Sequence, residues 1–127
     1  IYTIHKSFYL KKYLRVSSLD NYRDLLYVDD ATRGIKEIMV NVDSSKIINL
    51  GSGQSILMKD FVKIYWQLLG GSIEKIKFGI IKNSKKDTKQ TLNYMDITLL
   101  KKNINWEKSI NIKKNIKSNI KAYKNYL

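Results

Sequence analysis

The chain has 127 residues, 43% of them hydrophobic, enough for one domain with a real core. It contains no cysteine and a single histidine, His5, which excludes a disulfide framework, a cysteine-ligated metal, a histidine metal cluster and a Ser/His/Asp triad. The formal charge is +13, and only Arg15, Arg23 and Arg33 of the basic residues are arginines.

The charge excess is uneven, since residues 82–127 carry 12 lysines against Asp87, Asp96 and Glu107. One reading is a stand-alone lysine-rich binding module for nucleic acid or anionic surfaces. The other is a Lys-, Ile- and Asn-rich composition placed on solvated faces, and it is preferred. Nucleic-acid binders favour arginine and exposed aromatics, whereas most aromatics here fall on apolar faces. No apolar run approaches the ~20 residues of a membrane span, and the first residues do not read as a secretory signal. The expectation is therefore a cytoplasmic protein without membrane or nucleic-acid partners. The chain opens on Ile1 and not Met, which fits a piece of a longer protein.

In chain order, residues 1–12 read as a helix with Ile1, Ile4, Phe8 and Tyr9 on one side. Within it Tyr2 and Lys6 have the spacing of a proton-donating Tyr-Lys pair, a weak signal. Residues 13–18 alternate as an edge strand and end in a Leu19-Asp20-Asn21 turn. Leu25, Leu26, Tyr27 and Val28 form an apolar run expected to be a buried strand. Asp29 and Asp30 then offer N-cap chemistry, and Ala31, Ile35, Ile38, Met39 and Val42 recur at helical spacing. Arg33, Lys36 and Glu37 fall to the other face.

Residues 47–50 read as a buried strand interrupted by Asn49, followed by a Gly51-Ser52-Gly53 turn. That turn is not a dinucleotide fingerprint, because no G-x-G-x-x-G follows a strand. Met58, Phe61, Val62, Tyr65, Leu68 and Leu69 mark a helix stopped by Gly70-Gly71, with Ser55 or Asp60 left to cap it. Trp66, beside that stripe, reads as core or interface. Residues 73–81 alternate as a strand, and a lysine-rich loop with Lys85, Lys86 and Lys89 follows. Asp96 stands before a short helical stretch, ITLLKKNI, that leads to Asn105 and Trp106. A last helix from about Asn111 carries Ile112, Ile116, Ile120, Tyr123 and Leu127 on one stripe.

Residues 23–34, RDLLYVDDATRG, resemble the R-D-[FWL]-x-Y-V-x-D-x-x-x-[AG] segment of the extended short-chain dehydrogenase/reductase family of sugar-nucleotide epimerases, dehydratases and reductases. Residues 48–53, INLGSG, resemble its Y-N-[IL]-G-[ST]-G. Asp96 with INW at 104–106 resembles its Asp and L-G-W-x-P, with Lys108 in place of the proline; this implies that Asp96 caps the short helix and that Asn105, in place of the glycine, uses the left-handed region that Asn tolerates. The phrases FGII and MKDF look most like reductases of CDP-linked 4-keto-6-deoxyhexoses, the CDP-abequose synthase type. LDNYRD resembles GDP-mannose dehydratases and related reductases.

The resemblance implies an α/β fold, the small C-terminal substrate-binding part of a Rossmann-type enzyme, with about four helices and four short strands across residues 1–127. By the same resemblance Arg23 forks onto the diphosphate of a nucleoside-diphosphate sugar, as only a guanidinium can, and Asn49 lines the same pocket. In relatives an arginine of the loop at 82–91 closes over the phosphates; here Lys85 or Lys86 would supply only a point charge. Both the glycine-rich NAD(P) turn and the Ser/Thr…Tyr…Lys catalytic group are missing from these residues. NAD or NADP would therefore be bound by an N-terminal Rossmann half outside this sequence, which is also the implied partner within a homodimer.

Overall fold

The computed structural model describes residues 1–43, 45–82, 92–108 and 111–124. The expected α/β class is found. Helices α1 (Tyr2–Tyr9), α2 (Val28–Asn41), α3 (Met58–Leu68), α4 (Thr98–Asn103) and α5 (Ile112–Lys124) occur with strands β1 (Leu14–Arg15), β2 (Tyr22–Asp24), β3 (Ser55–Leu57) and β4 (Ile76–Lys77), in the order α1-β1-β2-α2-β3-α3-β4-α4-α5. A 3-10 turn at Ile73–Lys75 leads into β4. The strands form two separate pairs, β1 with β4 and β2 with β3. Packing divides the chain into two compact units, the first made of Ile1–Asn21, Leu57–Thr91 and Asn111–Leu127, the second of Tyr22–Ile56 and Leu92–Ile110.

In the first unit, α3 and α5 face each other and bury Val62, Tyr65, Trp66, Ile116 and Ile120 with Ile4 of α1 and Leu14 and Ile76 of the strands. This is the stripe that the 3- and 4-residue spacing marked, and Trp66 is core as expected. The alternation at 13–18 and 73–81 shrinks to a two-residue parallel ladder, Leu14 opposite Ile76 and Arg15 opposite Lys77. Beyond it Val16 accepts from Ile80 while Gly79 turns at φ +76°, so the backbone leaves the ladder. No side chain caps α3. Instead the N–H groups of Met58 and Lys59 donate to the carbonyls of Asn21 and Leu19, satisfying donors that a helix start leaves open. Leu19 reaches this position at φ +56°. On α5 the Asn111 side chain accepts from the Lys114 N–H at 3.0 Å, a conventional N-terminal cap. Lys113, Lys117, Lys121 and Lys124 stand exposed away from the buried stripe.

The second unit has its own core of Leu100, Ile104 and Trp106, against which Leu26, Ile38, Val42, Ile48, Leu50 and Ile97 pack. Here the expected elements shift. The strand is Tyr22–Asp24, not the apolar run after it, and Val28 already opens α2. Polar Arg23 and Asp24 sit in the strand because β3 supplies their ladder and Asp24 has bonds of its own to make. Asp29 and Asp30 lie inside the first turn of α2 and not at its cap, where no side-chain bond forms; as carboxylates they still favour the positive helix start. No strand forms at 47–50, where Ile47 is 91% exposed and only Ile48 and Leu50 reach the core. Asn105 does not use the left-handed region.

One buried polar chain crosses the first unit. His5, with no exposed surface, bonds through Nε2 to the Tyr65 hydroxyl at 2.7 Å, and that hydroxyl donates to Asn119 Oδ1 at 2.6 Å. Because the hydroxyl proton points to Asn119, Nε2 carries the imidazole hydrogen, leaving buried Nδ1 without a partner. The ring stacks on Tyr123 with centroids 4.0 Å apart. Burial, with the nearby amino terminus, lowers the His5 pKa below 6.5. Burial and the neighbouring Tyr123 and Tyr9 push Tyr65 up to about 12.

The unfolded chain therefore takes up the His5 proton first, so stability should be undiminished above about 6.5 and fall as pH drops from there towards the lower folded value. Urea unfolding at pH 7.5 and 5.5 should show this loss, and His5→Phe should flatten it. Tyr65→Phe, which strands both polar neighbours, should cost about 1–3 kcal/mol.

Candidate functional site

Strand β2 carries Arg23 and Asp24 side by side, and the Asp24 carboxylate organises the loops around it. Its Oδ1 accepts the Ser52 N–H at 2.9 Å, and its Oδ2 accepts the Gly53 N–H at 3.0 Å and the Met95 N–H at 3.1 Å. One carboxylate thus ties the Gly51-Ser52-Gly53 turn and the segment entering α4 to the strand. Gly53 turns at φ +70°, where a side chain would be strained. At Gly51 an added Cβ would stand 2.5 Å from Met95 Cβ, so the two segments touch backbone to side chain with no room for more. Burial pushes the Asp24 carboxyl up, but the bonds win. The backbone N–H groups of Ser52, Gly53 and Met95 together hold it below 3.8.

These bonds also decide what the glycine turn can do. In a dinucleotide site the turn's N–H groups face a phosphate; here those of Ser52 and Gly53 face Asp24. The N–H groups of the Gly-Ser-Gly turn are therefore already engaged within the protein.

Arg23 is half-buried and donates from one terminal nitrogen to the Tyr22 carbonyl at 2.9 Å. Asn49 is exposed, and its side-chain amide donates to the Asp96 carbonyl at 3.3 Å, so it bonds across to the α4 entrance and not within its own loop. Lys85 and Lys86 lie outside the described residues. The Lys6 ammonium lies over the Tyr2 ring, 5.6 Å from its centroid. Among the described residues no group of three His, Cys, Asp or Glu could hold a metal, and no helix is long and apolar enough to cross a membrane.

Two further residues hold the frame. Asp96 Oδ1 accepts both the N–H and the hydroxyl of Thr98, at 2.9 and 2.6 Å. It thus serves the start of α4 as expected, one residue ahead of the boundary, and those bonds lower its pKa. Trp106 donates from its indole to the Gly51 carbonyl at 3.2 Å and packs where Gly34 leaves space; a Cβ on Gly34 would meet the indole at 2.7 Å. Arg33, read from sequence as solvent-facing, lies over the same indole at 5.1 Å, pairs with buried Asp30 at 3.0 Å and donates to the Glu107 carbonyl. Sequence reasoning missed Asp24 and Arg33 as fasteners. The only signal was a carboxylate next to a candidate anion-binding arginine, which reads as its ion pair.

No family model matches the chain. A UDP-glucuronate 4-epimerase from Thermodesulfobacterium geofontis is 33% identical over 99 residues, covering 77% of this chain but 29% of that protein. Among solved structures, RMD from Pseudomonas aeruginosa, complexed with NADPH, superposes with a TM-score of 0.80 at 16% identity over 99% of this chain and 41% of that one. UDP-glucose 4-epimerase from Bifidobacterium longum, in complex with NAD+ and UDP, gives 0.68 at 20% identity over 92% and 36%. The chain therefore has the fold of one part of these Rossmann-type enzymes and spans well under half the length of each.

Asp24→Ala should destabilise by about 3 kcal/mol, the scale of stranding several donors to a charged acceptor, and Asp24→Asn by less. Because the folded pKa is lowered, the carboxylate's contribution is present above 3.8 and lost as pH falls through the folded value. The gap in urea midpoint between the native chain and Asp24→Asn should therefore be wide at pH 7 and narrow at pH 3.

Proposed function

We propose that this chain is the substrate-binding part of an extended short-chain dehydrogenase/reductase that acts on a nucleoside-diphosphate sugar, as an epimerase, dehydratase or reductase. The carrying observation is that the sequence relative and the fold neighbours are the same kind of protein: a UDP-glucuronate 4-epimerase by sequence, and NAD(P)-bound enzymes by fold. NAD or NADP, when bound by the remainder of the protein, would supply hydride transfer, and the proton donor would lie there too. The residues of this chain bind and orient the sugar nucleotide.

Arg23 is the anion-binding group. It stands on β2, whose position is set by the Asp24 bonds, so its guanidinium is aimed by a rigid support. Two parallel N–H bonds to a diphosphate suit that planar fork. Asn49, fixed to the Asp96 carbonyl, adds a polar group to the pocket. Lys85 and Lys86 would contribute charge from their loop. Helix α2 leaves Val28, Ile35, Met39 and Val40 exposed, and this is the face that would meet the cofactor-binding half. Homodimerisation and a cytoplasmic location belong to the same proposal. The finer choice is a reductase of CDP-linked 4-keto-6-deoxysugars, resting on the FGII and MKDF phrases; tighter binding of CDP than of UDP or GDP would support it.

In the complete enzyme, Arg23→Lys should weaken binding of the sugar nucleotide and of the bare nucleoside diphosphate alike, by about 1–3 kcal/mol, the scale of a charge-assisted hydrogen bond. The melting temperature should barely move. Unchanged affinity with a lowered melting temperature would instead make Arg23 a structural residue.

A further inference from the structure

A cavity of about 370 Å³ opens in the first unit between the end of α1 and the end of α3. Its wall is apolar. Phe8 meets Trp66 edge to face, with centroids 5.7 Å apart, and the Tyr9 ring stands beside Phe8. Its floor is bare backbone: Gly70 turns at φ +97°, and a Cβ on Gly71 would lie 2.3 Å from the Trp66 indole, so neither position fills the space with a side chain.

The rim is cationic. Lys11, Lys12 and Lys75 line the mouth, all exposed, and none takes part in the ion pairs formed among the described residues. The two helix ends place about half a negative charge each nearby, less than three ammonium groups carry. Lys11 is also held at φ +53°, where its N–H closes α1 onto the Phe8 carbonyl and that of Lys12 onto Ser7. Glycine is the ordinary occupant of such a left-handed helix end. A lysine there keeps a charge at the mouth at the expense of backbone strain, and strain of this kind gathers at binding sites.

We infer that this cavity is a second ligand site, separate from Arg23, for a small anion with an aromatic ring: the ring enters the Phe8–Trp66 wall and the anionic group meets the three lysines. Its volume lies in the range of small-molecule sites. A bare inorganic anion would leave the rings unused, and a neutral ring would leave the lysines unused. The inference holds whether or not Arg23 binds a diphosphate.

The test is calorimetric titration of the whole chain with 1-naphthyl phosphate, 1-naphthol and inorganic phosphate. The aryl phosphate should bind at least tenfold more tightly than either part. A Lys11→Gln, Lys12→Gln, Lys75→Gln triple variant should lose at least tenfold. Lys11→Gly should bind more weakly yet melt at a higher temperature, because the strain is relieved; a purely structural Lys11 would not separate the two. Equal binding by the triple variant, equal binding of inorganic phosphate, or a loss caused by Arg23→Lys in place of the lysine changes would overturn the assignment.

Discussion

A single carboxylate sets the geometry of the second unit. Asp24 takes hydrogen bonds from Ser52, Gly53 and Met95, three backbone donors from segments far apart in the chain. Loops without strand partners leave such donors open, and donors left unpaired in a folded interior are costly. The carboxylate supplies the acceptors that a wider sheet would otherwise provide. This is why residues 47–50 can forgo a ladder and still hold their course: the loop after them is tied to β2 by side-chain chemistry. The neighbouring Arg23 inherits that rigidity, so the structural and the proposed binding residue are consecutive and cannot be placed independently.

Around this clamp the packing is equally local. Trp106 sits against Gly34 of α2, donates to Gly51 and lies under the Arg33 guanidinium. A flat indole fits there only because α2 has no side chain at Gly34. Arg33, held by Asp30 and by the Glu107 carbonyl, closes the outer side of the ring. Helix α2 is therefore fixed through its polar and glycine positions as much as through Ile38 and Val42, and several of its apolar residues stay in solvent. A stripe exposed in this way seldom stays wet in a finished protein.

The first unit relies on a different device. Helices α3 and α5 supply a conventional apolar interface, while the His5–Tyr65–Asn119 chain threads polar groups through it. Such a chain specifies one arrangement of α1, α3 and α5, because each group has only its neighbour to bond with. Its weak point is Nδ1 of His5, buried without a hydrogen-bond partner. The lysines of α5 stay clear of this core, in keeping with a charge excess placed on solvated faces.

By itself the periodicity of the sequence determined the helices with long regular stripes, α3 and α5, and the core placement of Trp66 beside one of them. The resemblance implied the α/β class and a structural role for Asp96 and Trp106. The resemblance at residues 23–34 also pointed to the kind of protein that the sequence and fold comparisons then found. Tertiary structure alone decided where the strands lie. Apolar runs at 25–28 and 47–50 look like strands by composition, yet a strand needs a partner, and the partners turned out to be β3 for Tyr22–Asp24 and β4 for Leu14–Arg15. It alone decided the role of Asp24 as well, since its three donors lie 28 to 71 residues away and no local pattern announces a bond across that distance. The same reason hid the cap of α3, which comes from the carbonyls of Asn21 and Leu19 and not from any side chain that the sequence displays.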